Sequence, residues 1–271
     1  MKWKSILTVC LTGIVAASLL AGCGNDKADK KADASKPLRV ATNATFVPFE
    51  FKEDANSKEY QGFEMDLLRA VAKEMGRDLE INNIAFSGII PTLQQGDMDI
   101  AAAGMTVTKD RAQKVNFSEP FYESKLVILT PKNSGIKTAA DLAGKQVAIQ
   151  IGTTGAQYAE ENGLQTKQFD NNSEVIMELS VGGSPAAILD KPVADYFLTK
   201  DGKDKYNEIE IPGTKSEYLA FAFNKDNKEL MNEVNAAMEK LKANGEFQKL
   251  YKKWFNTEMP NLPKSGEDAL K

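Results

Sequence analysis

FSGIIPTLQQGDMDIAAAGMTVTKDR, residues 86–111, holds a helix, a buried strand and a polar corner, in that order. Ser87 is placed to cap a helix that runs to about Gln95 and stops at Gly96, with Pro91 tolerated in its first turn. Met98 to Ala103 follows, a run of small apolar residues bounded by Gly96-Asp97 and Gly104, which suits a buried strand. The chain then meets Thr106, Thr108 and Arg111. A guanidinium beside hydroxyls and open backbone N–H groups can grip a carboxylate through two parallel hydrogen bonds. Taken alone, the corner also reads as a surface arginine on an ordinary helical turn.

Upstream, Leu38 to Thr42 reads as a short strand, and Phe46-Val47-Pro48-Phe49-Glu50-Phe51 as a loop dense in aromatics. Gly62-Phe63-Glu64 opens a helix with Leu67, Leu68, Val71 and Met75 on one stripe, ended by Gly76. Leu79 to Ile84 is a strand, so the order is β, α, β, α, β, which argues a mostly parallel sheet covered by helices. A second series starts at the strand Leu126 to Thr130. It continues through a short capped helix from Thr138, a strand Gln146 to Ile151, and a helix opened by Gly152-Thr153-Thr154-Gly155. Ser173 is placed to cap the next helix, and Asp190 sits where a small-residue strand meets a helix carrying Pro192. The last two helices carry the stripes Leu230, Val234, Ala237, Leu241 and Phe247, Leu250, Tyr251, Trp254, which are core packing. Strand ends are where open α/β sheets gather ligands, and here they carry Asn43, Thr106, Gly152 to Thr154 and Asp190. That convergence favours a small polar ligand held between two lobes.

The first residues have a different character. Lys2 and Lys4 precede an apolar run, Ile6 to Leu20, that is short for a bilayer span and ends in Leu20-Ala21-Gly22-Cys23. This order resembles the signal and lipobox of bacterial lipoproteins, in which the cysteine is lipidated and becomes the mature N-terminus. Residues 1–22 are then a signal peptide, and residues 23–37 the lipidated Cys23 with a charged, flexible tether. Cys10 leaves with the signal, so the fold has no disulfide and relies on its core. Loss of Lys2 and Lys4 takes the formal net charge from −4 to −6, which gives no support to nucleic-acid binding. The chain has no histidine, which removes Ser-His-Asp and Cys-His nucleophilic sites and the commonest zinc ligand. No Gly-rich phosphate loop of Walker type is present. No metal, cofactor or catalysis is expected.

The motifs Phe46 to Phe51, Gly62-Phe63-Glu64-Met65-Asp66-Leu67, Phe86 to Leu93, Ala103 to Arg111, Phe117-Ser118, Gly152-Thr153-Thr154-Gly155 and Tyr251 to Phe255 occur in one order along the chain. With them, Leu38 to Phe255 resembles a type II solute-binding protein (family 3) of the polar amino acid ABC-transporter group. It is similar above all to glutamine-binding proteins, with arginine-binding lipoproteins also close. The resemblance implies an α/β, two-lobed periplasmic-binding-protein-like fold, each lobe a central sheet flanked by helices, joined by two hinge crossings. Lobe 1 is expected from 38–121 plus 219–257 and lobe 2 from 125–215, with a disordered tail at 258–271.

The resemblance also assigns roles. Arg111 would take a ligand α-carboxylate, helped by backbone N–H groups near Thr106 and Thr154, with Met105 and Thr153 beside them. Asp190, the Gly104 carbonyl and the Thr106 hydroxyl would hold the α-ammonium, and Phe46 and Phe86 would sandwich the side chain. From the residues alone, Phe46 and Phe86 are also ordinary core candidates, and Asp190 a helix cap. In glutamine binders the position of Asn43 is usually aspartate, that of Gln150 can be lysine and that of Leu189 histidine. Asn43 and Gln150 can both donate and accept hydrogen bonds, which suits a neutral amide side chain. A guanidinium would want a desolvated carboxylate, with Glu64 the obvious candidate. The expected ligand is therefore a free polar L-amino acid, glutamine first and arginine or another basic amino acid second. The expected partner is an ABC permease, for a monomeric lipoprotein held on the outer face of the cell membrane or in the periplasm. The rival is an enzyme on the same scaffold, such as a dehydratase acting on a small carboxylate.

Overall fold

The computed structural model describes residues 36–54 and 56–271. The expected signal peptide, the Cys23 lipidation site and most of the expected tether lie outside the described residues. Among the described residues no helix is long and apolar enough to cross a membrane.

The first lobe opens with β1 (Leu38–Thr42), the small hairpin β2 (Thr45–Phe46) and β3 (Glu50–Phe51), then α1 (Phe63–Met75) and β4 (Leu79–Asn83). It continues through α2 (Phe86–Gln95), β5 (Ile100–Ala101), α3 (Lys109–Lys114) and β6 (Val115–Phe117). After β7 (Tyr122–Ser124) the second lobe runs β8 (Leu126–Pro131), β9 (Gln146–Gln150), α4 (Thr154–Glu161), β10 (Gln165–Phe169), α5 (Asn172–Ser180), β11 (Ala186–Asp190), α6 (Lys191–Phe197) and β12 (Tyr206–Glu210). The chain returns through β13 (Glu217–Leu219) and completes the first lobe with β14 (Ala222–Asn224), α7 (Lys228–Ala243) and α8 (Glu246–Phe255).

Each lobe has one five-stranded sheet, in the orders β4-β1-β5-β14-β6 and β10-β9-β11-β8-β12. In both, the parallel strands expected from the β/α order lie together: β1 beside β4 and β5, and β9 beside β10 and β11. The returning or departing strands, β14 and β8, run antiparallel within them. Alternation along β1 sends Val40 into one core layer with Phe63 and Leu67, and Ala41 into the other with Ile89 and Leu93. The second lobe repeats the arrangement, with Ile149 on one face and Ala148 on the other. The two crossings, β7 and β13, pair antiparallel with Glu217 opposite Ser124 and Leu219 opposite Tyr122.

Local readings differ from the structure in three places. The helix after residue 84 starts at Phe86 with Ala85 in the cap position, so Ser87 does not cap it and Pro91 lies in the helix interior. The cap of α5 is Asn171, which forms a capping box with Glu174, in place of Ser173. Residues 258–271, expected to be disordered, are described through Lys271; Ala269 and Leu270 pack on the core layer that holds Phe117.

Candidate functional site

Arg111 is fixed by its helix. Thr108 caps the six-residue α3 by accepting the Arg111 backbone N–H at 3.2 Å, which places the guanidinium one turn in, 9 % exposed. Its Nη1 donates to the Thr106 carbonyl in lobe 1 and its Nη2 to the Gly152 carbonyl in lobe 2, both at 2.9 Å. The guanidinium lies 5.3 Å from the centroid of the Phe86 ring. Burial lowers its pKa, against the pull of Glu217 and Asp190, and it stays charged. Among the described residues no carboxylate lies within ion-pairing distance of it, so a buried cation faces a cavity with donors unspent.

That cavity lies between the lobes, with about 310 Å³ of space not filled by atoms, part of it open to solvent. Asn43, Phe46, Phe86, Gly104, Thr106, Arg111, Gln150, Thr153, Thr154 and Asp190 all line it, so ten of the eleven ligand-binding residues expected from the sequence come together. Met105 does not: it is buried in the lobe 1 core, and its carbonyl accepts the Ala220 N–H. Glu50, Ala103 and Asn172 are additional lining residues.

Asp190 occupies the cap position of α6, yet its side chain caps nothing; it accepts the Ser124 hydroxyl at 2.9 Å. The carboxylate is thereby left facing the cavity. Burial, then Glu217, pushes its pKa up from 3.8 to about 7, against the pull of Ser124 and Arg111. Gly104 sits at φ +57°, and a Cβ there would run into the Phe46 ring, so glycine lets the backbone approach that wall. Thr154 is the first residue of α4, where backbone N–H groups lack helical partners. Thr153 is spent as the cap of that helix, accepting the Ala156 N–H at 3.1 Å and donating to the Gln150 carbonyl at 2.8 Å.

Asn43 and Gln150 behave differently from their sequence reading. Gln150 Nε2 donates to Asn43 Oδ1 at 2.9 Å and to the Asp170 carbonyl at 2.8 Å. Asn43 Nδ2 donates to Asn171 Oδ1 at 3.0 Å, and Asn172 Nδ2 to Gln150 Oε1 at 2.7 Å. Asn43, Gln150 and Asn172 line the cavity, but their amides are committed to protein partners, Asn43 and Gln150 to each other across the lobes. Leu189, at a position where some glutamine binders carry histidine, packs in the lobe 2 core.

Two acids were not found from the sequence. Glu217, on the returning crossing, accepts the hydroxyls of Thr106 at 3.3 Å and Thr154 at 3.0 Å, one from each lobe. Glu50 pairs directly opposite Phe46 in the β2–β3 hairpin, so the two share the face that lines the cavity. An acid in the otherwise apolar run Phe46 to Phe51 was the available signal for Glu50. Glu64, the carboxylate expected near a ligand, is fully buried and accepts the Gly104 N–H at 2.7 Å. Burial raises its pKa from 4.5 to about 7.

Asp190 and Glu64 hold protons in the fold at pH values where the unfolded chain has lost them. Their contribution to stability is complete below about pH 4 and is lost as the pH rises through about 7. The melting temperature of the ligand-free protein is therefore expected to fall between pH 5 and pH 8, less steeply in Glu64→Gln. A wild-type melting temperature that rises across this window contradicts the assignment.

Comparison with known proteins places this geometry. The pattern of the bacterial extracellular solute-binding proteins, family 3, matches residues 38–257, both lobes and both crossings. The chain belongs to that family. Among its relatives is the arginine-binding extracellular protein ArtP of Bacillus subtilis, 33 % identical over 265 residues, covering 95 % of this chain and 99 % of ArtP. Among solved structures, an ancestral arginine-binding protein bound to glutamine superposes with a TM-score of 0.76 at 38 % identity, covering 82 % of this chain and 98 % of that one. The ancestral amino acid-binding protein AncCDT-1, a precursor of cyclohexadienyl dehydratase, superposes with a TM-score of 0.73 at 39 % identity, covering 81 % of this chain and 95 % of that one. These solved structures have the two-lobed type II architecture described above.

Proposed function

We propose that this family member captures a free polar L-amino acid between its two lobes and delivers it to an ABC permease. The observation that carries the reading is the two-sided polar cavity. The Arg111 guanidinium, buried and without a carboxylate partner, looks across it at Asp190, whose carboxylate is free of capping duty. One buried cation and one half-buried acid on opposite sides of a cavity suit a zwitterion, whose two charged groups need opposite partners. Phe46 and Phe86 supply apolar walls for what lies between.

Hydrogen bonds cross the lobes at Arg111 and Gly152, Asn43 and Gln150, and Thr45 and Asn172. A ligand that adds contacts on both sides stabilises the closed arrangement by differential affinity, with β7 and β13 as the hinge. A ligand of roughly ten heavy atoms is limited to about 15 kcal/mol, and about 8 kcal/mol already gives micromolar binding. A few charge-assisted bonds suffice.

Within that class the cavity's charge moves the preference from glutamine to arginine or another basic amino acid. The amides of Asn43 and Gln150, which on sequence grounds suited a glutamine side chain, are occupied with each other. Glu50 brings a further acid to the wall, beside Asp190 and with Arg111 the one opposing cation among the lining residues. Arginine-binding relatives support placing a basic amino acid first, and the ancestral arginine-binding protein bound to glutamine supports keeping glutamine second. Attachment to the membrane through Cys23 is part of the proposal and rests on the lipobox alone.

The second reading, an enzyme on this scaffold, has one observation in its favour: the kinship to a precursor of a dehydratase. A melting-temperature screen against the twenty amino acids separates the two. A binder gives a stable shift with ligand recovered intact, whereas consumption of the ligand indicates chemistry.

A further inference from the structure

Among the buried ionisable groups, Glu50 has so far been given a place in the cavity wall but no account of its proton. Glu50 is fully buried, lines the cavity, and finds no donor for either carboxyl oxygen among the described residues; Glu64 Oε1 is equally without one. The fold forces the two together. Phe49, immediately before Glu50, accepts the Glu64 backbone N–H at 3.0 Å, so the first turn of α1 is tied to β3 and the two carboxyls face each other. A proton held between them is the hydrogen bond that satisfies both, since two facing carboxylates repel. The other Glu64 oxygen is occupied by the Gly104 N–H.

The surroundings leave this pair poised. Glu50 faces Glu64 from α1 and Asp190 from the start of α6. Asp190 in turn faces Glu217 from β13, Arg111 from α3, and Ser124 and Tyr122 from β7. Two carboxyls, Glu50 and Glu217, thus face Asp190, with Glu64 against Glu50 and Arg111 as the opposing cation, an arrangement that holds protons until positive charge arrives. The chain has no histidine, so proton exchange by side chains of this cavity near neutral pH falls to such carboxyls.

We propose that Glu50 is a further ligand-reading residue: the proton it shares with Glu64 is released to solvent when the positive charge of a cationic amino acid settles beside Asp190, and the carboxylate left behind adds to the selection of cationic over neutral ligands. The ammonium or guanidinium stays charged, the shared O–H bond breaks, and the proton passes to the buffer. This rests on the reading of the cavity as an amino-acid site.

The experiment is calorimetric titration of the full chain near pH 7 with L-arginine and with L-glutamine, in two buffers of different ionisation enthalpy. For L-arginine the wild-type enthalpy is expected to differ between buffers by the equivalent of about one proton released. In Glu50→Gln the release is expected to fall by at least about half, with L-arginine affinity dropping about tenfold and L-glutamine affinity less than about threefold. Binding of L-arginine without buffer dependence, release that persists unchanged in Glu50→Gln (which would make Asp190 the source), or equal loss for both ligands overturns the proposal. If Glu50→Gln fails to fold, carboxyl carbon NMR of the wild-type protein decides. A buried glutamate moving from the protonated to the ionised shift on addition of L-arginine supports it, and no such movement overturns it. A wild-type protein that binds no amino acid overturns the functional reading instead.

Discussion

Arg111→Ala is expected to fold normally and to lose at least about a thousandfold in amino-acid affinity, a loss of about 4 kcal/mol. The guanidinium is the cavity's buried cation, and without it an α-carboxylate would enter a cleft whose walls carry Asp190 and Glu50, with Glu217 close by. The fold has less at stake. Arg111 is spent on two backbone carbonyls and is desolvated without an ion-pair partner, so its removal relieves a burial cost while freeing those carbonyls. Arg111→Lys keeps the charge but not the planar two-bond fork, and is expected to bind far more weakly than wild type. Calorimetry showing Arg111→Ala within tenfold of wild type would remove Arg111 from the site. A collapse of the melting temperature would make it a structural residue.

Asp190→Asn separates binding from stability in the opposite sense. Its carboxylate is held well above its usual range by burial and by Glu217, so its ionised form at neutral pH is a liability to the ligand-free fold. An asparagine still accepts the Ser124 hydroxyl, and α6 loses no cap because the aspartate side chain supplies none. The ligand-free melting temperature at pH 7.5 is therefore expected to rise or stay level, while affinity falls at least about a hundredfold through loss of the charged acceptor for the ammonium. That combination is characteristic of a residue kept for function. Loss of stability together with affinity would instead mark Asp190 as structural, and unchanged affinity would exclude it from the ammonium site.

The residues that locate the site were legible because their signals are local. The stripe of α1 and its Gly76 stop, the Thr108 corner before Arg111, and the strand end at Asp190 all follow from neighbours a few positions apart. Motifs in order along the chain then brought Arg111 and Asp190 to one cavity. What could not be read were side-chain choices made across the lobes. Asn43 and Gln150 are 107 positions apart and each carries a donor and an acceptor, so nothing local indicates that they would satisfy each other rather than a ligand. Glu217 carries no local signal, because its bonds to Thr106 and Thr154 exist only once both lobes are in place. Met105 failed for a simpler reason. Its neighbours Gly104 and Thr106 turn toward the cavity, Gly104 at φ +57°, and the side chain between them is directed into the core.

These pieces meet in one claim, that the cavity between the lobes holds a free amino acid by both of its charged ends. The melting temperature of the wild-type protein in the presence of each of the twenty L-amino acids tests it most directly. The expected result is a large, saturable rise for a narrow set, with arginine and other basic amino acids ahead of glutamine, because a ligand that binds only the folded form raises its stability in proportion to the logarithm of its concentration. No rise with any amino acid, at concentrations well above the micromolar range, would contradict it.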